Sequence, residues 1–245
     1  MRAYRGRIFR LDDHLDRLYA SAQYLGTRAP RDRLGFTRQL TQALARSGLK
    51  EAVVRVALMP QQAAASRPSI VVQLATRPPA SAYRRGIRLA VVPTRKLSVA
   101  AISPQAKYSA RLGSILAVMD AQLRRVDEAL FMDALGFVTE STASNFGIVS
   151  AGVILTPPCS LGLLAGITRE VLFELAATLR VVIRETRLTR HDCYNADEAF
   201  LTSTLKEVLP VTWIDGRRIG TGHPGSITKR LNRAFRQLVR RELPH

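Results

Sequence analysis

Only five of the 37 basic residues are lysines: Lys50, Lys96, Lys107, Lys206 and Lys229. A lysine amine adds to an aldehyde once it is freed of its proton, and desolvation favours that neutral form. Lys107 sits in mostly apolar surroundings just past an Ala/Ser/Pro-containing stretch. The plain expectation for such a residue is a solvated surface lysine; the alternative, at a domain junction, is a desolvated nucleophile. Glu140 opens the run Glu140-Ser141-Thr142-Ala143-Ser144-Asn145 between two apolar strands. It reads either as a solvated carboxylate on a hydroxyl-rich turn or as a carboxylate set at the edge of a cleft. Gly166-Ile167-Thr168-Arg169 leads into an apolar helix. Unpaired N–H groups and the positive dipole end at a helix start bind phosphate. Thr168 would cap that helix or donate its hydroxyl, although a glycine followed by threonine is more often simply a helix start. Thr202, Ser203 and Thr204 end another apolar strand, where a hydroxyl cluster can hold an anion. His14, His191, His223 and His245 show no metal-ligand spacing, and no Ser/His/Asp order suggests itself, so no metal is expected.

These residues must be positioned by the elements around them. Leu11, Leu15, Leu18, Tyr19, Ala22 and Leu25 recur at helical spacing over 11–25, with Gly26 as the stop. Arg17 lies off the apolar face of that helix. A second helix is expected over 34–47, then strands over 52–58, 69–74 and 87–92, with loops over 61–68 and 78–82. The stretch 97–106 reads as an interdomain linker. Beyond it come a helix over 109–124, strands over 128–133, 137–139, 146–149 and 153–156, and a helix over 169–179. Strands over 181–187, 198–202 and 209–214 and a basic helix over 225–241 close the chain. No solenoid-period repeat is present. Two blocks of mixed strands and helices point to an α+β protein with a small N-terminal domain (1–97), a linker (98–106) and a larger C-terminal domain (107–245).

Composition limits the partners. A net charge of +18 in 245 residues raises the question of a polyanion. The basic residues are mostly arginines scattered along the whole chain, with no basic tail and no aromatic RNA-stacking motif, which argues for compositional bias and against nucleic acid. No apolar run is long enough for a membrane span, and the start has no apolar signal core. Cys159 and Cys193 are too few and too far apart for a disulfide framework, which suits a reducing cytoplasm.

Taken in series, these segments resemble the class IV aminotransferases, the fold-type-IV pyridoxal-phosphate enzymes. That family includes branched-chain and D-amino-acid aminotransferases and aminodeoxychorismate lyase. The resemblance runs through Gly6–Leu18, Lys107 with Leu112–Ala117, Asp127–Asp133, Gly136–Glu140, Asn145-Phe146, Leu155–Pro158, Gly166–Arg169, Ala196–Thr202, Glu207–Val211 and Asp215-Gly216. It implies a D-amino-acid-aminotransferase-like fold of two α/β domains with pyridoxal 5′-phosphate in the cleft between them. It also implies a homodimer that moves an amino group between an amino acid, of branched-chain or D-amino-acid type, and a 2-oxo acid. By the same resemblance, Lys107 bonds the cofactor and shuttles the proton, and Glu140 faces the pyridine nitrogen. Arg17, the Ile167 N–H, Thr168 and Thr204 hold the phosphate. Family chains carry further strands ahead of the position of Arg2, so a shortened small domain is expected. Leu112 stands where branched-chain members typically have tyrosine and D-amino-acid-type members tolerate leucine. The alternatives are the lyase, which would release pyruvate and 4-aminobenzoate, and a non-catalytic basic relative that binds nucleic acid.

Overall fold

The computed structural model describes residues 1–59 and 68–244. The loop expected over 61–68 therefore lies outside the described residues except for Pro68, and so does His245. The chain divides into two units, Met1–Arg77 with Ala106–Tyr108 and Gln237–His245, and Pro78–Gln105 with Ser109–Arg236.

Unit 1 begins with β1 (Arg2–Tyr4) and β2 (Arg7–Ile8), then α1 (Leu11–Tyr24), α2 (Arg33–Arg46), β3 (Ala52–Leu58) and β4 (Pro68–Leu74). Its antiparallel sheet runs β2-β1-β3-β4. Asp32 starts α2 by accepting the Gly35 N–H at 2.8 Å, an ordinary N-cap. Phe36, Leu40 and Leu44 recur at helical spacing and are buried with Leu15, Ala52 and Val54. Truncating Leu40 to Ala would cost about 2–5 kcal/mol through lost burial and the cavity left behind.

Unit 2 holds α3 (Ala80–Arg85), β5 (Ile87–Arg95), α4 (Leu112–Leu123), β6 (Glu128–Met132), β7 (Val138–Ser141), β8 (Asn145–Ser150), β9 (Val153–Thr156) and α5 (Ile167–Thr178). It continues with β10 (Ile183–Glu185), α6 (Arg190–Tyr194), β11 (Glu198–Ser203), β12 (Glu207–Ile214) and β13 (Arg217–Arg218), and α7 (Ser226–Glu242) starts within it. The large sheet runs β10-β9-β8-β11-β12-β5-β6-β7. Because β7 also pairs with β8, the strands from β8 round to β7 close into a ring and lose their free edges. Leu89, Leu130, Phe146, Ile148, Leu201 and Leu209 fill the core of this unit. Gly147 allows the Phe200 ring to lie against β8, because a Cβ there would stand 2.6 Å from its Cζ. The buried Glu198 carboxylate accepts the Ile227 and Thr228 N–H groups at 2.9 and 2.7 Å, fixing the start of α7.

The units divide the chain elsewhere than the sequence suggests. The expected boundary at residue 97 falls inside unit 2, because β5 pairs in parallel with both β6 and β12. The expected linker, 98–106, is assigned to unit 2 as far as Gln105. Two short helices were not expected. α3 replaces part of the loop at 78–82, and α6 is started by a capping box between Thr189 and Asp192.

Candidate active site

In unit 1, α1 carries His14, Arg17 and Ser21 on one face, three and four residues apart. Arg17 Nη2 lies 3.5 Å from His14 Nδ1. The imidazole of His14 is held well below its usual 6.5, chiefly by burial, with the Met1 amine, Arg17 and Lys107 adding to the effect. His14 is therefore neutral near pH 7, and one ring nitrogen is free to accept a hydrogen bond. Ser21 is buried, and its Oγ accepts the Lys107 N–H at 2.9 Å. Ala106 is buried while Lys107 itself is exposed. Exposure of Lys107 agrees with the plain surface reading, and its main chain is anchored at the buried Ser21 hydroxyl.

In unit 2, Glu140 is gripped on both oxygens. Lys96 Nζ donates to Oε1 at 2.6 Å. Asn145 Nδ2 and the Leu164 N–H each donate to Oε2 at 3.3 Å. Its side chain is only 12% exposed, so the solvated-turn reading is excluded. The turn after Glu140 is held by a second polar group. Thr142 and Lys206 both contact Glu128, and Arg111 donates to the Thr142 carbonyl. The buried Ser141 and Ser144 hydroxyls have no hydrogen-bond partner among the described residues.

Glu140 and the start of α5 share a bridge. Asn145 Nδ2 also donates to the Leu164 carbonyl at 2.8 Å. Gln105 brackets the same lead-in, donating to Leu163 O and accepting the Ala165 N–H, both at 3.1 Å. Gly166 is obligatory here: an added Cβ would stand 2.1 Å from Asn145 Oδ1. Gly166 is the N-cap of α5, with no side-chain cap, and its carbonyl accepts the Glu170 N–H at 3.0 Å. Thr168 is therefore not the cap expected from the sequence; it lies in the first turn, and the extended glycine takes the cap position. Ile167 and Thr168 are buried, and helix geometry leaves their N–H groups without intrahelical acceptors. Arg169 secures this end by donating to the Pro157 carbonyl at 3.1 Å and pairing with Glu185.

Thr204 lies in the turn between β11 and β12, half-buried beside Ser203, whose Oγ accepts the Lys206 N–H at 3.2 Å. α5 packs against β11, but among the described residues no hydrogen bond joins Thr204 to α5. The structure thus gathers Lys107 and Arg17 in one group and Glu140, Ile167 and Thr168 in another, and leaves Thr204 at a strand end. Sequence reasoning missed Ser21, Lys96 and Gln105, and it gave Asn145 no role. The one available cue was the placement of Asn145 one short turn after Glu140, opposite it in register. Among the described residues no group of His, Cys, Asp and Glu could hold a metal.

Pyridoxal phosphate fits this donor set. A primary amine suits its aldehyde, and a buried, uncapped helix start suits its phosphate. A carboxylate fixed by three donors, still with lone-pair capacity, suits a protonated ring nitrogen.

The class IV amino-transferase family profile matches residues 1–214. A Methanocaldococcus jannaschii protein is 37% identical over 97% of this chain and 85% of its own length. The branched-chain-amino-acid aminotransferase of Pseudomonas aeruginosa is 32% identical over 95% of this chain and 78% of its own. Among solved structures, a T.th. branched-chain amino acid aminotransferase with pyridoxamine 5′-phosphate superposes with a TM-score of 0.92 at 30% identity, covering 99% of this chain and 84% of that one. The Escherichia coli branched-chain amino acid aminotransferase gives 0.91 at 27%, covering 97% and 83%. With the family profile spanning most of the chain and both groups of residues suited to the cofactor, this chain belongs to the class IV aminotransferases and is a pyridoxal-phosphate-dependent aminotransferase.

Proposed function

We propose that this aminotransferase acts on branched-chain amino acids, passing their amino group to a 2-oxo acid. The observation that carries this reading is the likeness, over nearly the whole chain, to relatives and solved structures named for that activity. Pyridoxal phosphate, when bound, supplies an electron sink for the pair released at the substrate α-carbon. Lys107 Nζ takes the proton from that carbon and returns it during the exchange. Glu140 would pair with the ring nitrogen and keep it protonated. Lys96, Asn145 and the Leu164 N–H keep the carboxylate oriented for that task. Arg17, the Ile167 N–H, Thr168 and Thr204 would hold the phosphate, with the dipole of α5 adding attraction. A panel of L-leucine, L-isoleucine, L-valine, D-alanine and 4-amino-4-deoxychorismate tests the reading. Turnover of the first three with 2-oxoglutarate is expected. Turnover of D-alanine alone, or 4-aminobenzoate formed with no 2-oxo acid present, would contradict it.

The reading extends to assembly and place of action. α4 exposes Leu112, Ile115, Leu116, Met119 and Leu123. An apolar helix face of this kind needs covering, and a second copy of the chain is the partner proposed. Light scattering should give twice the chain mass of 27.1 kDa. A cytoplasmic site suits the two free cysteines and the lack, among the described residues, of any helix long and apolar enough to cross a membrane.

A further inference from the structure

We propose that Ser21 is a positioning residue that ties the main chain at Lys107 to the helical turn bearing Arg17. The proposal rests on the reading of Lys107 as the cofactor lysine and Arg17 as a phosphate holder. Ser21 lies inside α1 and is 4% exposed. Its Oγ stands 2.7 Å from the Arg17 carbonyl and 2.9 Å from the Lys107 nitrogen. A serine hydroxyl has one proton to give. The Lys107 N–H is a donor, so the hydroxyl accepts there and gives its own proton to Arg17 O. A serine that bonds back four residues along its helix is ordinary. Here the remaining lone pair is used by a residue 86 positions away in sequence.

The arrangement has a chemical consequence. Lys107, Ser109 and Ala110 are exposed, while Ala106 is buried and the Ser21 bond fixes the main chain at Lys107. Arg17 stands one turn before Ser21 on α1, with His14 Nδ1 3.5 Å from its guanidinium. The main chains that carry an amine and a guanidinium, referred to the same helical turn, keep a fixed spacing. A ligand with an aldehyde at one point and a phosphate at another needs that constancy, because small misplacements of reacting groups are costly in rate. Ser21 acts through Lys107 and Arg17.

The test has two arms. In the wild-type enzyme, hydrogen exchange at the Lys107 amide should be slower than at Ser109 by about tenfold or more, as expected for one net hydrogen bond. Equal exchange would overturn the proposal, whether or not any variant folds. In the second arm, wild type, Ser21→Ala and Ser21→Thr are stripped of cofactor and mixed with pyridoxal 5′-phosphate or with pyridoxal. Borohydride trapping and peptide mapping then follow the rate of labelling. Ser21→Ala should label Lys107 about tenfold more slowly with both aldehydes, and Ser21→Thr should recover most of the rate. Unchanged labelling of Lys107 in Ser21→Ala would overturn the proposal while leaving the reading of Lys107 intact. Slowing confined to the phosphorylated aldehyde would also overturn it, since Ser21 would then act on Arg17 alone. Label on a different lysine in wild type would remove the underlying reading itself.

Discussion

Around His14 in unit 1, burial acts first, and the nearby basic groups add to it: Arg17, Lys107 and the Met1 amine, itself pushed down to about 5 chiefly by burial. Around Glu140 in unit 2, one carboxylate is surrounded by three donors, from Lys96, Asn145 and Leu164. The first group places basic side chains around a His14 that burial keeps neutral. The second is already satisfied, so it is rigid before any ligand arrives and offers its remaining capacity in a fixed direction. Precision in unit 2 comes from side-chain bonds that converge on a single residue. In unit 1 it comes from one helix face and a single hydroxyl.

Breaking the unit 2 arrangement should have the larger effect. Glu140→Gln keeps the shape but removes the charge, and kcat should fall by about 10²–10³-fold, the range for removing one preorganised electrostatic group. Steady-state kinetics with saturating cofactor would measure it, and a loss confined to KM would contradict the assignment. Arg17→Met tests the cationic group. Losing a charge-assisted bond worth roughly 1.5–3 kcal/mol should weaken pyridoxal phosphate binding about 10- to 100-fold. Pyridoxal, which lacks the phosphate, should bind this variant and wild type alike; a titration of each would show it. Gly166→Ala should disturb the bridge from Glu140 to α5, because the new Cβ would collide with Asn145 Oδ1. Cofactor affinity and kcat should then both fall about tenfold, the order set by losing one net hydrogen bond. Asn145→Ala should add little on top of it in a double-mutant cycle.

The smallest effect concerns His14. Its folded-state value lies below 6.5, so between that value and 6.5 the unfolded chain binds the extra proton. The contribution of His14 to stability is therefore fully present above pH 6.5 and declines as pH drops below it. Calorimetry across this window should show Tm falling in wild type. His14→Asn should flatten that slope, and an unchanged slope would show that His14 is not the group responsible.

The two groups also differed in how far the sequence revealed them. Gly166, Ile167 and Thr168 are consecutive, and a glycine before an apolar helix carries a local physical meaning, so the helix start could be read directly. The fault was one of position: Gly166 takes the cap and Thr168 the first turn. Most of the long strands and helices were likewise legible from periodicity. Lys107 was not, since nothing in its immediate neighbours separates it from the other four lysines, and only the resemblance singled it out. Ser21 and Lys96 were invisible for a different reason. Their partners lie 86 and 44 residues away, and no local pattern encodes a contact of that range. β5 was assigned to the wrong block because its strand character is local, whereas its pairing with β6 and β12 is not.

The central claim is that Lys107 carries pyridoxal phosphate. Reconstituted wild-type protein should show a visible absorption band that borohydride abolishes, with the reduced label on the peptide containing Lys107, and Lys107→Ala should lose both the band and on the order of 10³-fold or more in kcat. An unchanged band in Lys107→Ala, or label found on Lys96 in wild type, would contradict the account.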